Sequence, residues 1–170
     1  MTGAPAARPS AWRQLVDWYA GLLSLLLVIT VAILVVPVSL QIFSRYTDLI
    51  PSYIWTEEMA RFLFVWAIML GAMIGVREST HFEVDVWPRL PARAEAALRL
   101  VSRLGVLVIA LVFIWGGIEF TQFAWERISE LAELPLWLIH VAWPLAGVTW
   151  VFFLGEPMLH DVTVLIRGRA

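Results

Sequence analysis

Glu57, Glu58 and Arg61 are the residues whose types and spacing look most able to do chemistry. On a helix Arg61 lies four residues from Glu57 and three from Glu58, so either carboxylate can reach its guanidinium. Such a pair adds little in water, but at a membrane boundary it also limits the cost of desolvating the charges. The grouping therefore reads as an interfacial cap with a salt bridge, or as a contact surface for another membrane subunit or a periplasmic protein. His81, Glu83 and Asp85 are metal-capable side chains two residues apart. Only an extended strand would put them on one face, and one histidine with two loop carboxylates is a weak ligand set, so no metal is expected. His140 could ligate a haem, but a four-helix haem protein needs paired axial ligands inside the bundle. His81 and His160 fall at or beyond the helix ends, so no cofactor is expected. The chain has no cysteine, which excludes disulfides, thiolate metal sites and a cysteine nucleophile. No Gly-rich phosphate loop and no Ser/His/Asp constellation is present, and an enzyme is not expected.

The elements that must position these residues are membrane spans. The chain is 61% hydrophobic and 15% charged, with a mean hydropathy of +0.80, more apolar surface than a water-soluble fold of 170 residues needs. A net charge of −2 gives no reason to expect nucleic acid. Glu57 to Arg77 is twenty residues, or about 30 Å of helix at ~1.5 Å per residue, one hydrocarbon core. This span, 56–76, has Thr56 as its expected N-cap and two acids in its first turn, where the helix dipole favours negative charge. Gly71 and Gly75 share a face beside Ala72, the small-x-x-x-small surface that lets another helix approach. Arg77 reads as an anchor at the far end.

Residues 1–17 start like a signal peptide, but the apolar run that follows is too long for one. It reads as a retained first span, 18–44, tilted or kinked at Pro37, with Gln41 near its outer end. The third span covers 104–122, and the fourth covers 134–154, interrupted by Pro144 and carrying Ala142 and Ala146 at small-residue spacing. Between the second and third spans, 77–103 is the longest polar connection. After Pro91, Ala94, Ala97, Leu98, Val101 and Leu104 recur at helical spacing, which predicts an amphipathic helix at the cytoplasmic surface that can run into the third span. Glu119 lies sixteen residues beyond Arg103, about 24 Å at ~1.5 Å each, so it reads as an acid at the outer edge, within reach of water or Arg127. A proton or sodium site there is disfavoured, because a carboxylate within the bilayer costs roughly 2.5–3.5 kcal/mol. Nine of the 12 arginines lie in the termini and the middle connection, against Arg45, Arg61 and Arg127 in the other two loops. The positive-inside rule then puts both termini in the cytoplasm. The expected fold is an all-α membrane protein of four transmembrane helices, one domain.

The stretch W-T-E-E-M-A-R-F-L-F-V-W-A-I-M-L-G-A, then Arg77 and His81, then a loop ending in L-P before the third helix, resembles the small membrane subunit of tripartite ATP-independent periplasmic (TRAP) transporters. Trp55, Glu57, Glu58, Arg61, Trp66, Gly71, Arg77 and His81 carry the resemblance, and length and span number agree over nearly the whole chain. It implies a non-catalytic scaffold in a sodium-coupled secondary transporter for an organic acid. A periplasmic solute-binding protein would capture the solute, and a large multi-span transport subunit would carry it. The expected partner interface comprises Trp55, Glu57, Glu58, Arg61, Gly71, Gly75, Arg77 and His81, with membrane lipid around it. Two alternatives stand beside this reading. A self-sufficient four-helix transporter working as a homodimer would need an acid deep in a span, and the first span has none. A membrane-anchor subunit of an oxidoreductase would need histidine pairs, which are missing.

Overall fold

In hydrocarbon every backbone N–H and C=O must be satisfied within the segment, which leaves uncharged runs of this length only the helix. The computed structural model describes residues 11–47, 51, 53–78 and 91–167. It has α1 (Ala11–Tyr46), α2 (Trp55–Glu78), α3 (Ala92–Phe123), the single-turn α4 (Trp137–His140) and α5 (Ala142–Arg167). Four passages, α4 and α5 together forming the last, are long and apolar enough to cross a membrane. Among the described residues no strand forms beyond an isolated bridge between Ile128 and Pro135. The protein is all-α with four candidate spans.

Several local expectations are refined. Thr56 is not the N-cap of α2: it lies inside the helix, and its hydroxyl donates to the Tyr53 carbonyl at 2.6 Å. The helix expected after Pro91 runs directly into the third span: its residues form the first turns of α3, continuous to Phe123. Pro144 does not interrupt the last passage where it stands. It occupies the first turn of α5, where a backbone N–H has no intrahelical partner to lose. Its missing N–H leaves the carbonyl of His140, four residues earlier, without the usual bond, and the break falls there, between α4 and α5. The helix then runs on to Arg167, well past the expected end at 154, and through Pro157. Likewise α1 passes through Pro37 as one helix of 36 residues.

The helices pack as a row in the order α1, α2, α5, α3, with α1 and α3 at the edges. Ala20 and Leu23 of α1, Met69, Leu70 and Met73 of α2, Ala110 of α3, and Ala142, Ala146, Trp150 and Phe153 of α5 form the shared core. The α3–α5 contact is the tightest. A Cβ on Gly147 would fall 2.6 Å from the Ala110 carbonyl oxygen, and one on Gly117 would fall 2.5 Å from Pro144 Cδ. Ala142 and Ala146 are completely buried in the shared core, as their spacing leads one to expect. Three hydrogen bonds tie the row across its width. Tyr19 and Thr149 share one at 2.8 Å, Trp66 Nε1 donates to the Leu138 carbonyl at 2.9 Å, and Trp150 Nε1 donates to the Ala72 carbonyl at 3.1 Å. In lipid such bonds and close packing replace the hydrophobic drive between helices.

Candidate functional site

The row has two chemically different ends joined by uncharged middles. Trp18 to Ser44, Phe62 to Val76, Leu104 to Ile118 and Val141 to Gly155 contain no Asp, Glu, Arg or His. At ~30 Å for the hydrocarbon core and ~1.5 Å per residue, the 36-residue α1 outruns the bilayer, and the ionisable groups occupy the excess.

At one end, Glu58 is 8% exposed and reaches over to the connection between α3 and α4. One of its carboxylate oxygens accepts the backbone N–H groups of Leu131 at 2.9 Å and Ala132 at 2.8 Å, and Ser129 adds a side-chain hydrogen bond. That connection is a tight reversal, closed by Ser129 N–H to Leu134 O at 2.8 Å and Leu136 N–H to Arg127 O at 2.9 Å. Glu133 takes a positive φ of 53° at its turn, a conformation that L-residues adopt only where the surroundings hold it. Glu58 therefore forms no salt bridge with Arg61, whose charge still favours the carboxylate, but clamps two loop amides, of which Ala132 also donates to Ser129 Oγ at 3.3 Å. Arg127 lies over the Phe123 ring at 3.9 Å rather than against Glu119, which instead accepts the Trp115 indole N–H at 3.0 Å. Glu119 is exposed at the rim, as an interfacial acid should be.

At the other end, Asp161 is 1% exposed, yet its carboxyl group faces two arginines. Arg99 Nε donates to it at 3.2 Å, Arg103 pairs with its second oxygen, and Arg103 also donates to the Pro157 carbonyl at 2.7 Å. Glu95 holds Arg99 from below at 2.5 Å. The polar face of the first turns of α3 thus turns toward α5 and leaves Leu98 and Val101 exposed. Sequence reasoning missed this centre. The signal was present as two arginines four apart on α3 and a lone acid in the apolar run from Met158 to Ile166. Further along the same end, Arg77 pairs with Asp17 of α1, and Arg13 Nε meets Glu156 at 3.1 Å. Arg77 is an internal tie between α1 and α2.

The expected interface residues separate cleanly by face. Glu58 and Arg77 turn inward or across to neighbours, as does Trp66, which was not among them. Glu57, Arg61, Phe64, Ile68, Gly71 and Gly75 fall at helical spacing on one stripe of α2, opposite buried Phe62, Met69 and Met73. All six are exposed except Gly71, which is half-buried. A Cβ on Gly71 or Gly75 would meet no other helix, so among the described residues none packs on this small-residue face. Trp55 is exposed at the top of the same helix. His81, with Glu83 and Asp85, lies outside the described residues. No group of three metal-capable side chains forms among the described residues.

A row of four helices with uncharged middles, tied ends and an open central face defines a multi-pass membrane protein. The sequence matches the family model described as tripartite ATP-independent periplasmic transporters, DctQ component, over residues 34–164. The chain belongs to this family of small TRAP permease subunits in the bacterial inner membrane. It is 28% identical over 128 residues to the sialic acid TRAP transporter small permease protein SiaQ of Vibrio cholerae, covering 74% of this chain and 73% of that one. It is 30% identical over 105 residues to the C4-dicarboxylate TRAP transporter small permease protein DctQ of Rhodobacter capsulatus, covering 58% and 45%. With the sialic acid TRAP transporter permease protein SiaT of Haemophilus influenzae the identity is 32% over 113 residues, 66% of this chain but 18% of that protein. In SiaT the matching segment is one small part of a much longer permease polypeptide.

Proposed function

We propose that this chain is the non-catalytic scaffold of a sodium-coupled, binding-protein-dependent transporter for an organic acid, and that it packs against the large transport subunit through the open stripe of α2. The observation that carries the reading is the confinement of ionisable groups to the helix ends. A carrier needs polar groups or broken helices at the midplane to hold solute and ions; the four runs contain no Asp, Glu, Arg, Lys or His, and the hydroxyls of Tyr19, Ser24, Thr30 and Thr149 are engaged within the protein. A body of this kind can brace a moving subunit but has nothing with which to hold an ion. The length of SiaT beyond its matching segment supports a large membrane partner. The sialic acid and C4-dicarboxylate named for the relatives support a carboxylate solute. In this reading both termini are cytoplasmic by the arginine balance. The Glu58-clamped loop then faces the periplasm, where Glu57, Glu126, Glu130 and Glu133 can steer a soluble binding protein electrostatically.

Co-purification tests the proposal. The tagged chain, extracted in mild detergent, should bring down one larger multi-span membrane protein. Recovery as a homodimer with no larger membrane protein would sink the scaffold role and favour a self-sufficient transporter.

A further inference from the structure

One cleft, enclosed by α1, α2 and α5 at the arginine-rich end, has no part in the scaffold role. It encloses about 300 Å³, at the low end of the range for small-ligand sites. Its charges come in both signs. Arg13 faces Glu156 across α1 and α5, and Asp17 faces Arg77 across α1 and α2. Trp12 walls one side, its ring 4.9 Å from that of Phe152. All four charged side chains remain between 32% and 67% exposed, so a ligand can reach them without unburying anything.

The depth of the cleft matters as much as its lining. On each of the three helices it sits where ionisable residues give way to the uncharged run. Asp17 precedes Trp18, Arg77 follows Val76, and Glu156 follows Gly155. That is the level of lipid headgroups, with exposed Trp18 and Leu22 of α1 leading away from it into the apolar zone. A wholly anionic group would meet two carboxylates there, and a quaternary ammonium has no N–H to give them. A primary ammonium offers three donors, and guanidinium groups suit phosphate oxygens.

We propose that this cleft binds the phosphoethanolamine headgroup of a membrane phospholipid. The phosphate lies between Arg13 and Arg77, and the ammonium lies against Asp17 and Glu156 beside the face of Trp12. The site does not depend on the scaffold role, because its lining belongs to this chain alone.

Native mass spectrometry tests it on the full-length chain, in whichever assembly it leaves the membrane, after lipid is stripped in detergent. The probes are phosphatidylethanolamine, phosphatidylcholine, phosphatidylglycerol and free phosphoethanolamine. Adducts of phosphatidylethanolamine should form on this chain at about tenfold lower concentration than those of the other two lipids, a difference of ~1.4 kcal/mol. Arg13→Gln/Arg77→Gln should abolish the preference, while Arg93→Gln should leave it intact. Asp17→Asn/Glu156→Gln should transfer the preference to phosphatidylglycerol, a change that loss of fold cannot produce. Weaker binding of free phosphoethanolamine would assign the ligand to the membrane, and binding as tight as that of the lipid would overturn that source. Equal adducts with all three lipids, or an unchanged preference in both double variants, would overturn the site.

Discussion

Replacing Asp161 by Asn tests how the α3–α5 pair is held at the arginine-rich end. The carboxylate is 1% exposed and serves two guanidinium groups, so its loss leaves Arg99 and Arg103 facing a neutral amide. Removing one partner of a buried ion pair costs about 3–5 kcal/mol when the other charge is stranded. Here the stranding is partial. Arg99 keeps Glu95 at 2.5 Å, Arg103 keeps the Pro157 carbonyl at 2.7 Å, and the two side chains are 25% and 16% exposed. The expected loss is therefore about 2–3 kcal/mol, a factor of ~30–150 in the folding equilibrium. Reversible unfolding in mixed micelles, followed by far-UV circular dichroism, reads the loss directly. Hydrogen exchange should rise first in the opening turns of α3. Asp161→Leu/Arg103→Leu should recover much of the stability, since an apolar pair of similar volume removes the uncompensated charge. If Asp161→Asn unfolds within about 0.5 kcal/mol of wild type, as an unremarkable surface change would, the cluster does not hold the two helices together.

Four further outcomes follow from the geometry. Glu58→Ala takes the charge-assisted bond from the Leu131 and Ala132 amides and leaves Ala132 its 3.3 Å bond to Ser129 Oγ; exchange should rise at least ~10-fold at Leu131 and less at Ala132, and unchanged protection at Leu131 would refute the clamp. Gly147→Val places atoms against the Ala110 backbone, where a Cβ would already come within 2.6 Å; overpacking of about 1–3 kcal/mol or more should cut recovery of the chain from the membrane, whereas Gly71→Leu should leave the chain intact but lose the larger subunit. Equal recovery of the larger subunit with Gly71→Leu would count against a packing role for the α2 stripe. Glu57→Ala/Arg61→Ala should lower uptake by the assembled transporter with little loss of the chain from the membrane, and wild-type uptake would remove this pair from the interface.

The sequence was most legible where the solvent leaves the chain no choice. Four uncharged runs in lipid can only be helices, and the small residues Ala142 and Ala146 announced a packed face that the structure buries in the shared core. Pairings between distant positions were illegible. Asp161 meets arginines that stand 58 and 62 residues away in the chain, and no local pattern couples them. Glu58 had an obvious partner three residues on in Arg61, but backbone amides of a loop more than seventy residues away claimed it. Unpaired N–H groups at a rim compete better for a carboxylate than an exposed guanidinium that water already satisfies. Pro144 misled for a different reason. A proline's effect falls on the carbonyl four residues earlier, so the break appears upstream of the residue that causes it. For the candidate interface, spacing identified Gly71 and Gly75 as sharing a face. Only the packing of α1 and α5 on the opposite side of α2 shows that this face stays open.

Solute flux in sealed liposomes separates a brace from a carrier most directly. With an inward sodium gradient and a binding protein loaded with an organic acid, vesicles holding this chain alone should take up no more solute than empty ones. Vesicles holding it together with the large subunit should accumulate solute. Sodium-dependent uptake by this polypeptide on its own would contradict the account.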